Sequence, residues 1–381
     1  MKKCLIIVSM AVAVFCGCRK IDFVPETARE EAPRYVALED VAKIFARLPI
    51  GVEQMTEVHD AASESSVNGY DEEYLMKDLF LSPGSGVGDA PSKAREYSRP
   101  LRDLLVEALS TKASGEGTQW LDSLMVSDIQ IYWPFSDSWD GTGLPIVTYD
   151  PGDMATSNVG YALRADGGYD KVLVDEQMAR ERPVWVMNRN SDAEYKSLEM
   201  MRREDPSWGS GGGDIIVGPT KAQADIKTLI LRSFTVNRQY DSWFAGAAEF
   251  FVKVGSIENF KASTEAELRL YNPTITDFMI VVKRKQMGEE LPFNAVLVSE
   301  WTKSLNNCAL MIIEDDGGSR TTWKANAMVK VNSKSYGIEL ELPLNSRDDV
   351  VWRGSLTRSY IEKYSGELGH FGDIDLVLEL I

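Results

Sequence analysis

Cys308 to Val331 read CALMIIEDDGGSRTTWKANAMVKV, and the fold class turns on this stretch. Cys308 to Ile313 is a short apolar run, and Glu314-Asp315-Asp316-Gly317-Gly318 carries it into a Gly-rich turn. A second run follows at Ala325 to Val331. Apolar runs of this length, bounded by turn residues, read as strands. The same style extends on both sides. Thr228 to Val236, Glu249 to Val254, Ala266 to Leu270, Asp277 to Lys283 and Ala295 to Trp301 precede it, while Gly337 to Leu342 and Asp375 to Leu380 follow. Residues 215–381 therefore predict a β-sandwich or jelly-roll-like domain, with one interposed helix at Thr357 to Tyr364.

Upstream the period changes. Val41, Ile44, Phe45 and Leu48 recur at helical spacing until Pro49, and Val52, Met55, His59 and Ala62 repeat the pattern. Asp71 to Phe80 predicts a third helix, and Tyr97, Leu101, Leu104, Leu105 and Ala108 a fourth. Residues 37–118 form a helical region on this reading, with the pattern broken over Thr111 to Thr118. Ile129 to Trp133, Ile146 to Tyr149, Val159 to Arg164, Val172 to Val174 and Val184 to Met187 then predict a small antiparallel β domain over 119–190. Asp166-Gly167-Gly168 supplies a hairpin turn. Residues 191–214, charged and then Gly-rich, read as a linker. The expected class is α+β.

The N-terminus reads as an export address. Lys2 and Lys3 precede an apolar run from Leu5 to Phe15. As a helix this run spans about 16 Å, too short for a hydrocarbon core of roughly 30 Å. It fits a signal peptide over 1–17. Phe15-Cys16-Gly17-Cys18 resembles the relaxed lipobox of Bacteroidota lipoproteins. That resemblance implies acylation of Cys18, a tether over 18–36, and export to the bacterial cell envelope, often the outer membrane. Phe15 stands where the strict pattern has an aliphatic residue.

Composition excludes several classes. The formal charge is −17, with 41 Lys+Arg against 58 Asp+Glu, which argues against a nucleic-acid binder. Cleavage after Gly17 would remove Lys2 and Lys3 and leave the body two units more negative. Such a body depends on its acyl anchor for membrane attachment. Only Cys308 lies beyond Cys18, so the exported part has no disulfide of its own. With two His in the chain, a three-His zinc site cannot be built. The chain contains no HExxH, GxSxG, P-loop, CxxC or DxDxDG pattern.

Four sets of residues carry the remaining chemistry. His370 lies in the turn Gly369-His370-Phe371-Gly372, and His59 at an apolar helical position. A dyad of His370 with Cys308 requires a thiol that its apolar strand would bury. Glu249 and Glu300 lie within apolar strands, where two carboxylates separated by roughly 5 to 9 Å would suit glycoside hydrolysis. Trp133, Asp137, Trp139 and Asp140 concentrate aromatic and acidic character, as sugar or protein recognition requires. The alternative is that Trp139 folds back onto Trp133 as core.

Asp241, Asp315, Asp316, Asp348 and Asp349 sit in three acidic inter-strand loops, a donor set suited to calcium. In architecture and loop acidity the region resembles C2-type sandwiches, although the aspartate spacing is not theirs. Acids in turns are also expected on turn propensity alone.

The expectation is a cell-envelope lipoprotein acting as a non-enzymatic binding or structural module for a protein or glycan partner. The alternatives are a carbohydrate-active hydrolase or a calcium-stabilised module.

Overall fold

Strand alternation sorts the first lobe. In β6 (Val184–Arg189), Trp185 and Met187 point into one core while Val184 and Val186 point into another on the opposite face. A sheet with two apolar faces needs a cover on each side. The computed structural model describes residues 36–80, 97–110, 116–152, 154–190, 195–204, 226–258, 260, 262, 264–316 and 319–381. Cys18, the signal-like segment and most of the Gly-rich linker lie outside these residues. Among the described residues no helix is long and apolar enough to cross a membrane.

Helices α1 (Leu38–Phe45) and α2 (Val52–Val67) open the described chain. Strand β1 (Glu73–Leu75) runs directly into α3 (Met76–Phe80), and α4 (Leu101–Ser110) and α5 (Glu116–Met125) follow. The expected helix over 71–80 is thus strand in its first half, because Glu73 to Leu75 pair with β2 (Ile129–Tyr132). Helix α5 departs from the sequence pattern. It begins within the Gly- and Ser-bearing stretch that reads as a break, and it buries Leu124.

The sheet is completed by β3 (Ile146–Tyr149), β4 (Ser157–Leu163), β5 (Tyr169–Asp175) and β6, with α6 (Glu176–Glu181) before the last. Strand order is β1-β2-β6-β3-β4-β5. Its pairs are antiparallel except β3–β6, so the sheet is mixed where the sequence predicts an antiparallel one. The β4–β5 turn follows its sequence signal. Gly167 has φ +84°, and Asp166 accepts the Gly168 N–H at 2.9 Å. Helices α1 to α5 cover one face and share a core with Ile129, Ile131, Trp133, Trp185 and Met187. The helical and first β segments therefore share one hydrophobic core.

After α7 (Leu198–Glu204), which falls in the expected linker, comes the second lobe. Strands β7 (Lys227–Val236), β8 (Ala248–Ser256), β9 (Thr274–Val282), β10 (Leu291–Trp301), β11 (Leu305–Glu314), β12 (Arg320–Val331) and β13 (Lys334–Asn345) match expected runs. Residues Glu265–Leu268 form helix α8 instead of a strand, because Thr264 accepts the Glu267 N–H and caps it. Strand β14 (Asp349–Thr357) begins at acids that predict a loop. Helix α9 (Arg358–Lys363), β15 (Leu368–Phe371) and β16 (Ile374–Leu380) end the chain.

Two sheets form a sandwich-like pair: β10-β7-β16-β15, and β13-β12-β11-β8-β9 with β14 also pairing β11. Phe234 of β7 meets Phe250 of β8 across the core, ring centroids 5.6 Å apart. At the start of β11, Leu305 and Asn307 pair with β12; from Asn307 to Glu314 the strand pairs with β14. The sheet forks there. That fork brings an otherwise distant acidic loop to the end of β11.

Candidate metal centre

The antiparallel ladder creates the site. β8 starts where its partner β11 ends, and β14 also starts at that end of β11. Phe250 and Asp349 are both register partners of Glu314. Glu249, one residue before Phe250, and Asp315 and Asp316 after Glu314 are thereby gathered at one edge of the sandwich. Asp241 reaches the same place from the loop between β7 and β8.

Carboxylate oxygens of Asp241, Glu249 and Glu314 all lie within 4.8 Å of one another. Oxygens on opposite sides of a bound calcium ion stand at about that separation, since Ca–O distances are roughly 2.4 Å. Glu314 is fully buried, and neither of its carboxylate oxygens receives a hydrogen bond from a donor group among the described residues. A buried carboxyl without a donor carries the full cost of its lost hydration. Burial and the adjacent Asp241 carboxyl hold Glu314 well above the ordinary range, and burial also raises Asp241.

More negative charge surrounds this group. Burial, Asp241, Asp349 and Asp348 push Asp316 up to about 6. Asp349 and Asp150 both act on Asp241, Asp150 reaching it from the end of the first lobe's β3. Asp315 instead ties the strands together. It is buried and accepts from Asn345 Nδ2 at 3.2 Å, while its own N–H donates to the Glu249 carbonyl at 3.0 Å. Asp348 accepts the Asn345 N–H at 2.6 Å. A set of hard carboxylate oxygens without His or Cys suits calcium or magnesium rather than zinc.

Beside Asp241 a cleft of about 290 Å³ opens between the two lobes, lined by Thr156, Glu176, Asp241, Trp243 and Arg284 among others. Arg284 donates to the Asp241 carbonyl at 3.3 Å and to Glu176 Oε2 at 3.3 Å. Neither Arg284 nor Trp243 stands out in the sequence. Their signal is three-dimensional, because only the docked lobes bring them to Glu176 and Thr156.

The other candidates lie elsewhere. Glu300 is on β10, in the opposite sheet from Glu249, and is not part of the carboxylate group. His370 is exposed on β15 and hydrogen-bonds Asp375. Cys308 is buried in β11, where burial pushes its thiol up to about 12.

Trp133 is 1% exposed, and its ring lies 5.4 Å from Trp139 and 5.8 Å from His59. This packing leaves the Trp133 ring no face for an external sugar. Asp137 pairs with Lys285 of the second lobe, and Asp140 closes its own turn by accepting from the Thr142 N–H at 2.9 Å. No family model, curated protein or solved structure matches the chain.

Proposed function

We propose that this chain is a lipid-tethered, non-enzymatic module of the bacterial cell envelope whose sandwich holds one calcium ion between Asp241, Glu249 and Glu314. The observation that carries the calcium reading is Glu314. It is a fully buried carboxyl with no donor on either oxygen among the described residues, set against two further carboxyls. A divalent cation would satisfy all three groups, and Asp316 and Asp349 stand close enough to add to its field. Backbone carbonyls and water would complete the six to eight oxygens calcium takes.

The envelope reading rests on the signal-like residues 1–17 and the lipobox-like Cys18. The cleft beside Asp241 supports a binding role toward an envelope protein or glycan. Thermal melts of the chain in calcium and in EDTA test the cation reading. A ligand bound only by the folded state raises the midpoint, by about 2.7 kcal/mol of stability at a hundred times its Kd. Equal midpoints in the two buffers would refute it.

A further inference from the structure

The loop that supplies Asp241 also supplies an apolar contact between the lobes. Tyr240 holds it to the sandwich, donating to Asp373 Oδ2 at 3.2 Å and packing on Phe250 with ring centroids 5.7 Å apart. Two residues past Asp241, Trp243 and Phe244 leave the sandwich. They are 3% and 0% exposed, buried with Tyr132, Ile146, Val184 and Val186 in the core beneath the first lobe's sheet.

Polar contacts fix the same turn. The Trp243 indole donates to the Thr156 carbonyl at 3.1 Å, and Asn188 Nδ2 donates to the Phe244 carbonyl at 3.1 Å. The Ala247 N–H donates to the buried Asp71 at 2.7 Å. Gly246 has φ +140° there, and a side chain at that position would meet Asp71 at 3.2 Å. One short segment thus carries a cation ligand at one end and the aromatic anchor of the other lobe at its centre.

We propose that the cation acts as a clamp: its coordination by Asp241 fixes this loop against β8 and β11 and so governs how firmly Trp243 and Phe244 dock into the first lobe. The inference rests on the cation reading above and adds regulation of the same site. Linkage makes the effect reciprocal, since whatever strengthens the docked loop must also tighten the cation. Without the cation, the carboxyls of Asp241, Glu249 and Glu314 face one another within 4.8 Å with no divalent charge between them. The loop then loses the tie between its ligand and the sandwich strands.

Hydrogen exchange of the full chain, in calcium and in EDTA, tests the clamp, with terbium luminescence on the same samples reporting the site itself. The clamp predicts about tenfold slower exchange in calcium across 237–247 and along β6, a typical size for site coupling. The β12–β13 hairpin should change little. Terbium binding with no change in β6 protection would overturn the clamp and leave the cation site standing. Absence of terbium binding would overturn both. Trp243→Ala should weaken terbium binding several-fold if linkage holds, and unchanged binding in a folded variant would contradict it. The wild-type exchange comparison decides the matter even where that variant fails to fold.

Discussion

Glu249 and Glu314 stand side by side at the edge of the sandwich because the Asp315 N–H bonds the Glu249 carbonyl at 3.0 Å, extending the β8–β11 ladder by one more bond. Both side chains come from strands, and both belong to the group that includes Asp241. A strand carboxylate is costly in this setting unless something compensates it.

That cost makes stability depend on pH. Burial raises the Glu314 pKa in the folded chain above its ordinary value of 4.5, so the folded state keeps this proton to higher pH than the unfolded state. Stability in EDTA should therefore fall as pH rises from 4.5 upward. Glu72, raised to about 7 by burial and by Asp71, adds to the loss between 4.5 and 7. Calcium should flatten or reverse the slope, since it binds the deprotonated group. Denaturant unfolding at several pH values, with and without calcium, checks the sign.

Glu314→Gln keeps the shape of the side chain and a donor toward Asp241 while removing the charge. In EDTA its stability should stay within about 1 kcal/mol of the parent, as isosteric exchange of a neutral acid suggests. In calcium the midpoint gain should vanish. A variant that still gains the full midpoint shift would remove Glu314 from the site.

Trp133 belongs to the core. Trp133→Ala should cost about 3–5 kcal/mol of stability, as truncation of a buried aromatic usually does. Calcium affinity should be unchanged in conditions where the variant remains folded. Urea denaturation measures the first, and calorimetry the second.

Cys308 should be inert in the folded chain. Burial pushes its thiol up to about 12, so little thiolate forms at pH 8. A thiol-reactive dye should label the body beyond residue 36 only after unfolding. Rapid native labelling would contradict the burial of Cys308.

Asp71→Ala would leave the Ala247 N–H without its partner at the lobe junction. The expected cost is about 1–3 kcal/mol. A matched loss of protection in segment 237–247 by hydrogen exchange would locate the damage.

Local patterning in the sequence carries far. Helical spacing marks α1, α2 and α4, and apolar runs mark most strands of both sheets, because each is a local consequence of side-chain period. The pattern misleads where strand pairing or a local cap overrides the apolar period. Glu73 to Leu75 join a sheet edge, Glu265–Leu268 become helix under a Thr264 cap, and Asp349 opens a strand by pairing with Glu314.

The site divides in the same way. Asp241, Asp316 and Asp349 are visible as acids in turns, and Glu249 as a charge inside a strand. Their convergence on Glu314 is not visible, since it depends on antiparallel pairing between segments far apart in the chain. Nor is the burial of Trp133, which turns an aromatic–acidic loop into a packing element.

A cation held by Asp241, Glu249 and Glu314 is the premise on which both the stabilising role and the clamp depend. Calorimetric titration of the full chain with calcium chloride, in two buffers of different ionisation heat, tests it without an intermediary. One ion should bind per chain, with a proton released as Glu314 ionises and no binding in Glu314→Gln. Absence of saturable heat in the wild type, or equal binding in the variant, would contradict it.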